Sequence, residues 1–528
     1  MADNVRKGSR VDNVIARDAA QLAALGHDQQ LERNFSFFAM LGLAFSVLNS
    51  WPALAASLSI GLPSGGPATI IWGLITAGLG SLTLAASNAE FLSSYPTSAG
   101  QYHWAAIITP KRWVPIVSWI TGWINVSGWV ALSASAGVLG GQLLLGIITM
   151  YDPGFAPKQW HFFLVFLLYS FLGFFLNLFT GTGLPVVTKS ALVWSLCGFV
   201  ATTITVLVCG APEFRPASFV FGTLINTTGW PDGVAWLLGL LQGGISLTGF
   251  DAVAHMIEEI PNPCVRGPRI MVLCVFVGVA TGLIFQICLL FIIRDVDAVV
   301  SSKTGPLIEI YLQATDSKAG TVCLVLFPIV CIVFACVGIM ATSTRMVYAF
   351  ARDRGLPFSH VFAKVHPRLG IPVNALLLTN AVVVIFGLIY LGSSSALNAI
   401  LSASVVALSV SYAVAPAINC LQGRKKLLAS RPFKLPEWLG WTCNLFGIVY
   451  TVVTTIFLLF PPVKDVTADT MNYAVVAFAV LIIISGIQWF VDGRHNFTGP
   501  TFDEAAFISV EGIIDEETSQ MATPANKQ

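Results

Sequence analysis

Apolar residues fall into twelve long runs separated by short polar stretches. The runs are Phe35–Ile60, Pro67–Leu92, Trp113–Met150, Trp160–Phe179, Leu184–Cys209, Trp236–Met256, Ile270–Ile293, Thr321–Met346, Pro372–Leu391, Ala396–Cys420, Trp438–Phe460 and Tyr473–Val491. Each is long enough for a bilayer core, which takes about 20 helical residues. The pattern predicts an all-α integral membrane protein with twelve transmembrane helices. It divides the chain into a polar tail over 1–34, a helical domain over 35–491 and a second tail over 492–528, with an acidic run at Asp515, Glu516 and Glu517. Both tails read as cytosolic and partly disordered. Two runs carry helix breakers. The first is cut by Asn49-Ser50-Trp51-Pro52, and the sixth by Gly243-Gly244 and Thr248-Gly249-Phe250-Asp251. Proline removes a donor and clashes with the preceding turn. Irregular backbone at membrane depth is tolerated only where protein buries it or a cavity uses it. Broken helices in corresponding positions of two halves point to a transport site near the midplane.

Composition agrees. Of 528 residues, 55% are hydrophobic and 10% charged, against about 25% charged in a soluble protein. This excludes a large soluble enzyme and a disordered scaffold. A net charge of +1 offers no footprint for nucleic acid. The ten cysteines form no CxxC pair, so no metal or redox cofactor is expected. No phosphate-binding GxxxxGK[ST] occurs, and the seven histidines are scattered, so neither an ATP-driven pump nor a membrane enzyme with a catalytic residue set is indicated. The segment from Met1 to Arg33 is too polar for a signal peptide. With the N-terminus inside, the inner loops hold fourteen Lys and Arg and the outer loops six. The positive-inside rule then places both termini in the cytosol. The same orientation puts the sequon Asn226-Thr227-Thr228 outside, as a glycosylation candidate. The outer segment Pro306–Ala314 is short and amphipathic, either an external gate or an ordinary loop.

Charges within membrane segments are expensive and mark function by default. They are chiefly Glu90, Lys189 and Asp251, with Glu258 and Glu259 at a helix end. Glu90 reads as a cap or an inner gate. Lys189 either snorkels to the interface or stands beside the first span in place of a coupling cation. Glu258 and Glu259, opposite the basic cluster Arg345–Arg354, read as a gate held by ion pairs. Trp51, Phe250 and Asp251 sit at the breaks and could cage a quaternary ammonium, which aromatic faces and a carboxylate recognise. Asn49 and Ser50 would bond freed backbone groups. Trp123 shares a face with Trp119, and Asn125 stands between Trp123 and Trp129 as a polar wall or an interhelical hydrogen bond.

Several stretches resemble a known family. Gly42–Trp51, Ser64–Pro67, Ala89–Tyr102, Asn226–Trp230, Phe250–Glu259 with Pro261-Asn-Pro263, Phe350–Pro357 and Pro372–Ala375 resemble the fungal amino acid/choline transporter family, part of the amino acid–polyamine–organocation superfamily. The resemblance spans about 31–491. It implies a LeuT-type fold of two inverted five-helix halves plus two helices, with the first and sixth discontinuous. It also implies alternating-access import across the plasma membrane, usually by proton symport. Matched to the family, Asn49, Ser50 and Trp51 fall on the unwound first helix that touches substrate, Phe250 and Asp251 on the sixth-helix break, and Glu90 on the second-helix acidic residue. The Asn-Ser-Trp at the first break is most similar to choline permeases. Lys189 departs from them and is similar to the fifth-helix lysine of some proton-coupled amino acid transporters. Choline, ethanolamine, GABA and amino acids thus remain open as substrates, with protons and membrane lipid as the other partners. Transport of a specialised metabolite, and a nutrient sensor that transports nothing, are the alternative readings.

Overall fold

A computed structural model describes residues 16–500 apart from 393, 394 and 469. The acidic run of the second tail lies outside the described residues. Among those described, the chain is helical, with one isolated β-bridge between Ser64 and Asn226. Ten helices are long and apolar enough to cross a membrane. Two of the twelve predicted spans fall short of that length. The sixth is Asp232–Ile245, an irregular stretch over 246–251, and then Ala252–His255. The ninth is Val373–Gly387, of 15 residues. The first span is also divided, into Phe37–Leu48 and Ser50–Ala56. Asn49, in the left-handed region at φ 47°, turns the chain between them.

The packing partners repeat when each span is exchanged with the one five places on. The second and seventh spans pack on each other, as do the third and eighth. The third on the tenth is matched by the eighth on the fifth, and the fourth on the eighth by the ninth on the third. The first on the seventh is matched by the sixth on the second. Even the connectors obey the rule. Helix Gln101–Ile108, between the second and third spans, packs on the third and tenth. Helix Pro306–Thr315, between the seventh and eighth, packs on the eighth and fifth. This is the LeuT-type 5+5 inverted repeat, with the eleventh and twelfth spans added. Pro306–Thr315 is a folded helix with Leu307, Ile310 and Tyr311 buried, not an open loop.

Burial separates core from periphery. The most apolar window of the first span is 83% buried and that of the third 78%, against 6% for the twelfth. The twelfth span is apolar on all sides because lipid, rather than protein, is its solvent. Close approach needs small residues. At Gly239 a Cβ would lie 2.3 Å from the Thr69 side chain, which is how the sixth span comes against the turn that opens the second.

One tail departs from expectation. Residues 16–34 are folded onto the end of the bundle that carries both described termini, here called basal, with the other end distal. Leu22, Leu25 and Leu31 are buried there. The Asp18 carboxylate accepts from the Asn262 amide at 2.8 Å, and Arg33 Nη1 donates to the Ile260 carbonyl at 2.8 Å. The Phe35 amide donates to the Glu259 carbonyl at 3.0 Å. A polar segment docks here because the turn after the sixth span presents backbone carbonyls that need donors.

His27 lies in this segment, 3.5 Å from Asp353, with its ring 5.9 Å from that of His103. Burial, then Arg352, lowers its pKa from the ordinary 6.5; Asp353, Glu258 and Asp28 pull the other way and lose. The docked segment therefore binds fewer protons than the free one, so docking is strongest above the ordinary value and weakens as pH falls below it. Proteolysis within 16–34 should accelerate between about pH 7.5 and about pH 5.5, and His27→Gln should flatten that dependence. Equal protection of the wild-type segment at both pH values would contradict the reading.

Candidate substrate and gating site

The two breaks meet. Ser50 Oγ, at the start of the second half of the first span, donates to the Ser246 carbonyl at 3.0 Å, where the sixth span stops. Pro52 has no N–H to give the Leu48 carbonyl, so that group is released from the helix ladder. In the sixth span, Ser246 Oγ and Thr248 Oγ1 turn back to the Gly243 and Gly244 carbonyls at 2.9 and 2.8 Å. Gly249 has φ 98°, and a Cβ there would lie 2.7 Å from Val47 of the first span. That close approach brings the next residues, Phe250 and Asp251, to the crossing.

Asp251 is wholly buried. One oxygen accepts from Gln101 Nε2 at 3.0 Å and Trp129 Nε1 at 3.2 Å, and faces His255 Nε2 at 3.1 Å. The other accepts from the Tyr412 hydroxyl at 2.5 Å. Tyr412 also receives the Gly249 amide at 3.2 Å, and its ring lies 4.4 Å from that of Phe250. The second–third connector and the third, sixth and tenth spans thus converge on one carboxylate. Asn125 joins through Gln101, donating to its Oε1 at 2.6 Å, and so takes the interhelical role of the two open to it.

Not every expected residue reaches this point. The Trp51 indole N–H donates to Ser195 Oγ at 3.0 Å, and its ring packs edge-on to Phe285 at 5.0 Å. It faces the fifth and seventh spans, while Phe250 faces Tyr412, so the three-member cage of Trp51, Phe250 and Asp251 is not assembled in this conformation. Trp123 packs tilted against Trp119 and edge-on against Phe350, and lines an apolar cavity of about 460 Å³ among the third, ninth, tenth and twelfth spans. Asn49 is buried at the turn and makes no side-chain cap. Lys189 is exposed on the outer surface of the fifth span. Its neighbour Thr188 faces the first span instead, its carbonyl 2.2 Å from where a Cβ on Gly42 would sit. The lysine therefore does not stand in for a coupling cation. Asn226 closes a turn before the sixth span. Its amide nitrogen donates to the Trp230 carbonyl at 2.7 Å and to Asp232 at 2.9 Å.

Four residues at the crossing were missed: Gln101, Trp129, His255 and Tyr412. His255 was open to detection, because a histidine four residues after Asp251 shares its helical face. Nothing local in the sequence marks Tyr412.

The basal end carries buried ion pairs. Glu258 meets Arg352 at 3.0 Å and accepts from the Ser98 amide at 3.2 Å and the Ser98 hydroxyl. Burial alone would raise the Glu258 pKa, but Arg352 and Ser98 outweigh it and hold the carboxyl at about 2. It stays charged throughout the physiological range. Glu259 meets Arg345 at 3.0 Å, also buried. Glu90 forms a separate clasp, its two oxygens 2.7 Å from Arg424 and Arg431 and one of them accepting the Leu435 amide at 3.1 Å. At the distal end, a cavity of about 230 Å³ opens between the first and third spans and helix Pro306–Thr315, lined by Ala56, Gln142, Gly146 and Ile308.

Comparison with known proteins fits this arrangement. A family model described as amino acid permease matches residues 35–484. A choline transporter of Saccharomyces cerevisiae is 36% identical over 486 residues, covering 91% of this chain and 85% of its own. A putative amino acid/polyamine transporter of Macrophomina phaseolina is 36% identical over 438 residues, covering 82% and 96%. An amino-acid permease of Arabidopsis thaliana is 29% identical over 499 residues, covering 91% and 95%.

Removing one partner of a buried ion pair strands the other. Glu90→Ala should therefore cost roughly 3–5 kcal/mol, read as a lower unfolding temperature of the detergent-solubilised protein. Glu90→Gln, which keeps an acceptor for the Leu435 amide, should cost less. An unchanged unfolding temperature with altered transport would instead make Glu90 a moving gate.

Proposed function

The chain belongs to the amino acid permease family, and from that premise we propose that it imports choline or a related small amine by alternating access. It is a membrane transporter and not an enzyme. In this reading it works in the plasma membrane with both termini cytosolic, so the basal end faces the cytosol, and a proton enters with each substrate. The observation that carries the reading is the meeting of the two breaks at Ser50 and Ser246, deep between the spans, beside Asp251 and the rings of Phe250, Tyr412 and Trp129.

The chemistry of that crossing favours a cation. It offers backbone carbonyls, aromatic faces and one carboxylate. Arg345 and Arg352, the cations nearest on the eighth span, are engaged by Glu259 and Glu258. The helix that follows the break, Ala252–His255, is a single turn, too short for a strong positive end to receive a substrate carboxylate. A quaternary ammonium needs no donors and is held by ring faces. Asp251 already accepts from Gln101, Trp129 and Tyr412, so in this reading it orders the walls of the site rather than touching the substrate. Asn49, Ser50 and Phe250 supply the near contacts, and Trp51 braces the first break from behind. The similarity to a choline transporter supports the same substrate class.

The test expresses the chain in cells lacking their own uptake systems and supplies labelled choline, ethanolamine, GABA and neutral amino acids, with and without a protonophore. Choline should accumulate, and a protonophore should abolish the accumulation. Phe250→Ala should raise the KM for choline roughly 30-fold, the equivalent of one desolvated cation–π contact of about 2 kcal/mol. Import of carboxylate-bearing solutes alone would replace this reading with an amino acid permease. Accumulation of nothing, at normal surface expression, would favour a sensor.

A further inference from the structure

The crossing holds a proton that its hydrogen bonds make countable. His255 Nδ1 lies 2.8 Å from the Ser98 carbonyl, which can only accept. Nδ1 therefore carries a hydrogen. Nε2 of the same ring lies 3.1 Å from Asp251 Oδ2. If His255 were neutral and Asp251 ionised, two lone pairs would face each other at that distance. A hydrogen must lie between them, on the imidazole or on the carboxyl. Gln101, Trp129 and Tyr412 all donate to Asp251, so none of them relieves the conflict.

We infer that His255 and Asp251 together hold the transported proton, and that Ser98 ties its release to the opening of the basal gate. This rests on the transporter reading above and adds the proton's address. The other titratable groups around the pair come from several elements. Tyr412 of the tenth span donates to Asp251, Cys274 of the seventh lies within electrostatic reach, and Glu258 follows in the next turn. Arg345 and Arg352 of the eighth span are taken up by Glu259 and Glu258. The first span, Phe37–Leu48, and the third around Trp129 bring no titratable side chain to the pair.

Ser98 makes the link. Its carbonyl accepts from His255, while its amide and hydroxyl donate to Glu258, the carboxylate paired with Arg352. One residue thus touches both the proton site and the gate. With the gate closed, the doubly protonated ring has two acceptors, Asp251 and the Ser98 carbonyl. When Arg352 and Glu258 part, Ser98 is freed, the ring loses one acceptor, and water reaches it. The proton then leaves to the basal side, and the pair returns to a neutral imidazole beside a carboxylate. Protonation from the distal side restores the starting state, so one proton enters and one leaves per cycle.

The experiment uses the full-length protein in proteoliposomes with labelled choline. Counterflow at equal pH on both sides needs no net proton movement, whereas accumulation driven by a pH gradient does. Wild type should show both, with accumulation of up to about tenfold for each pH unit of gradient. In His255→Gln the accumulation ratio should fall to about one, and the counterflow that remains should lose its dependence on pH. Accumulation by His255→Gln at the wild-type ratio would overturn the inference. So would loss of counterflow together with accumulation in a properly folded variant, which would make His255 a positioning residue. Absence of choline counterflow in wild type would instead overturn the substrate reading. As a check that needs no variant, infrared spectra of the wild-type protein across pH should show one imidazole and one carboxylate changing together. Independent titration of the two would sink the shared-proton assignment.

Discussion

A main chain cut open inside a bilayer must find its own hydrogen-bond partners, because lipid offers none. The rest of this structure follows from that constraint. Each half of the inverted repeat contains one cut, and the cuts satisfy each other. The Ser50 hydroxyl serves the Ser246 carbonyl, and hydroxyls at 246 and 248 turn back to the carbonyls their own helix releases. Glycine at 249 lets the two chains approach until only a hydrogen fits between them. A carboxylate at such a crossing costs several kcal/mol unless it is well solvated by protein. Asp251 is solvated by Gln101, Trp129 and Tyr412 and faces the His255 ring. The crossing is thus held together by polar groups in an otherwise apolar bundle, and polar contacts of this kind can exchange partners without losing apolar packing.

The sequence made the large features legible because membrane physics writes them in long signals. Twelve apolar runs needed only their lengths, and the two cuts needed only Pro52 and the glycine and polar residues at 243–251. Side-chain direction was not legible. In a soluble protein the apolar stripe of a helix shows which face is buried. In lipid the outward face is as apolar as the inward one, so the stripe vanishes. Lys189 could therefore not be placed, and the structure turns it outward while Thr188 turns in. The same blindness hid Trp51, whose ring looks away from the crossing although its backbone belongs to it. The docked segment over 16–34 was hidden for another reason. Its polar side chains read as a solvated tail, but their partners are backbone groups of the turn after the sixth span, which no local pattern foretells.

The repeat is symmetric in packing and asymmetric in charge, and the asymmetry distinguishes its two ends. At the distal end the ion pairs of Arg294 join Glu213 and Asp316, both largely exposed, and such pairs contribute about 0–1 kcal/mol. At the basal end the pairs of Glu258 and Glu259 are buried, and the segment over 16–34 lies across them. Yet depth of burial alone does not make a gate. The cost of breaking a buried pair, roughly 3–5 kcal/mol, applies when one ion is stranded without water. If both ions reach water as they part, each recovers its hydration and the net cost falls toward that of a surface pair. The Arg352 side chain is 12% exposed, whereas those of Arg424 and Glu90 are at 1% and 0%. The first pair can separate into solvent once the segment over 16–34 lifts away. The second would have to separate inside protein. In the alternating-access reading, the less buried pair suits a contact that opens in each cycle, and the more buried one suits a contact that holds the second span to the loop after the tenth.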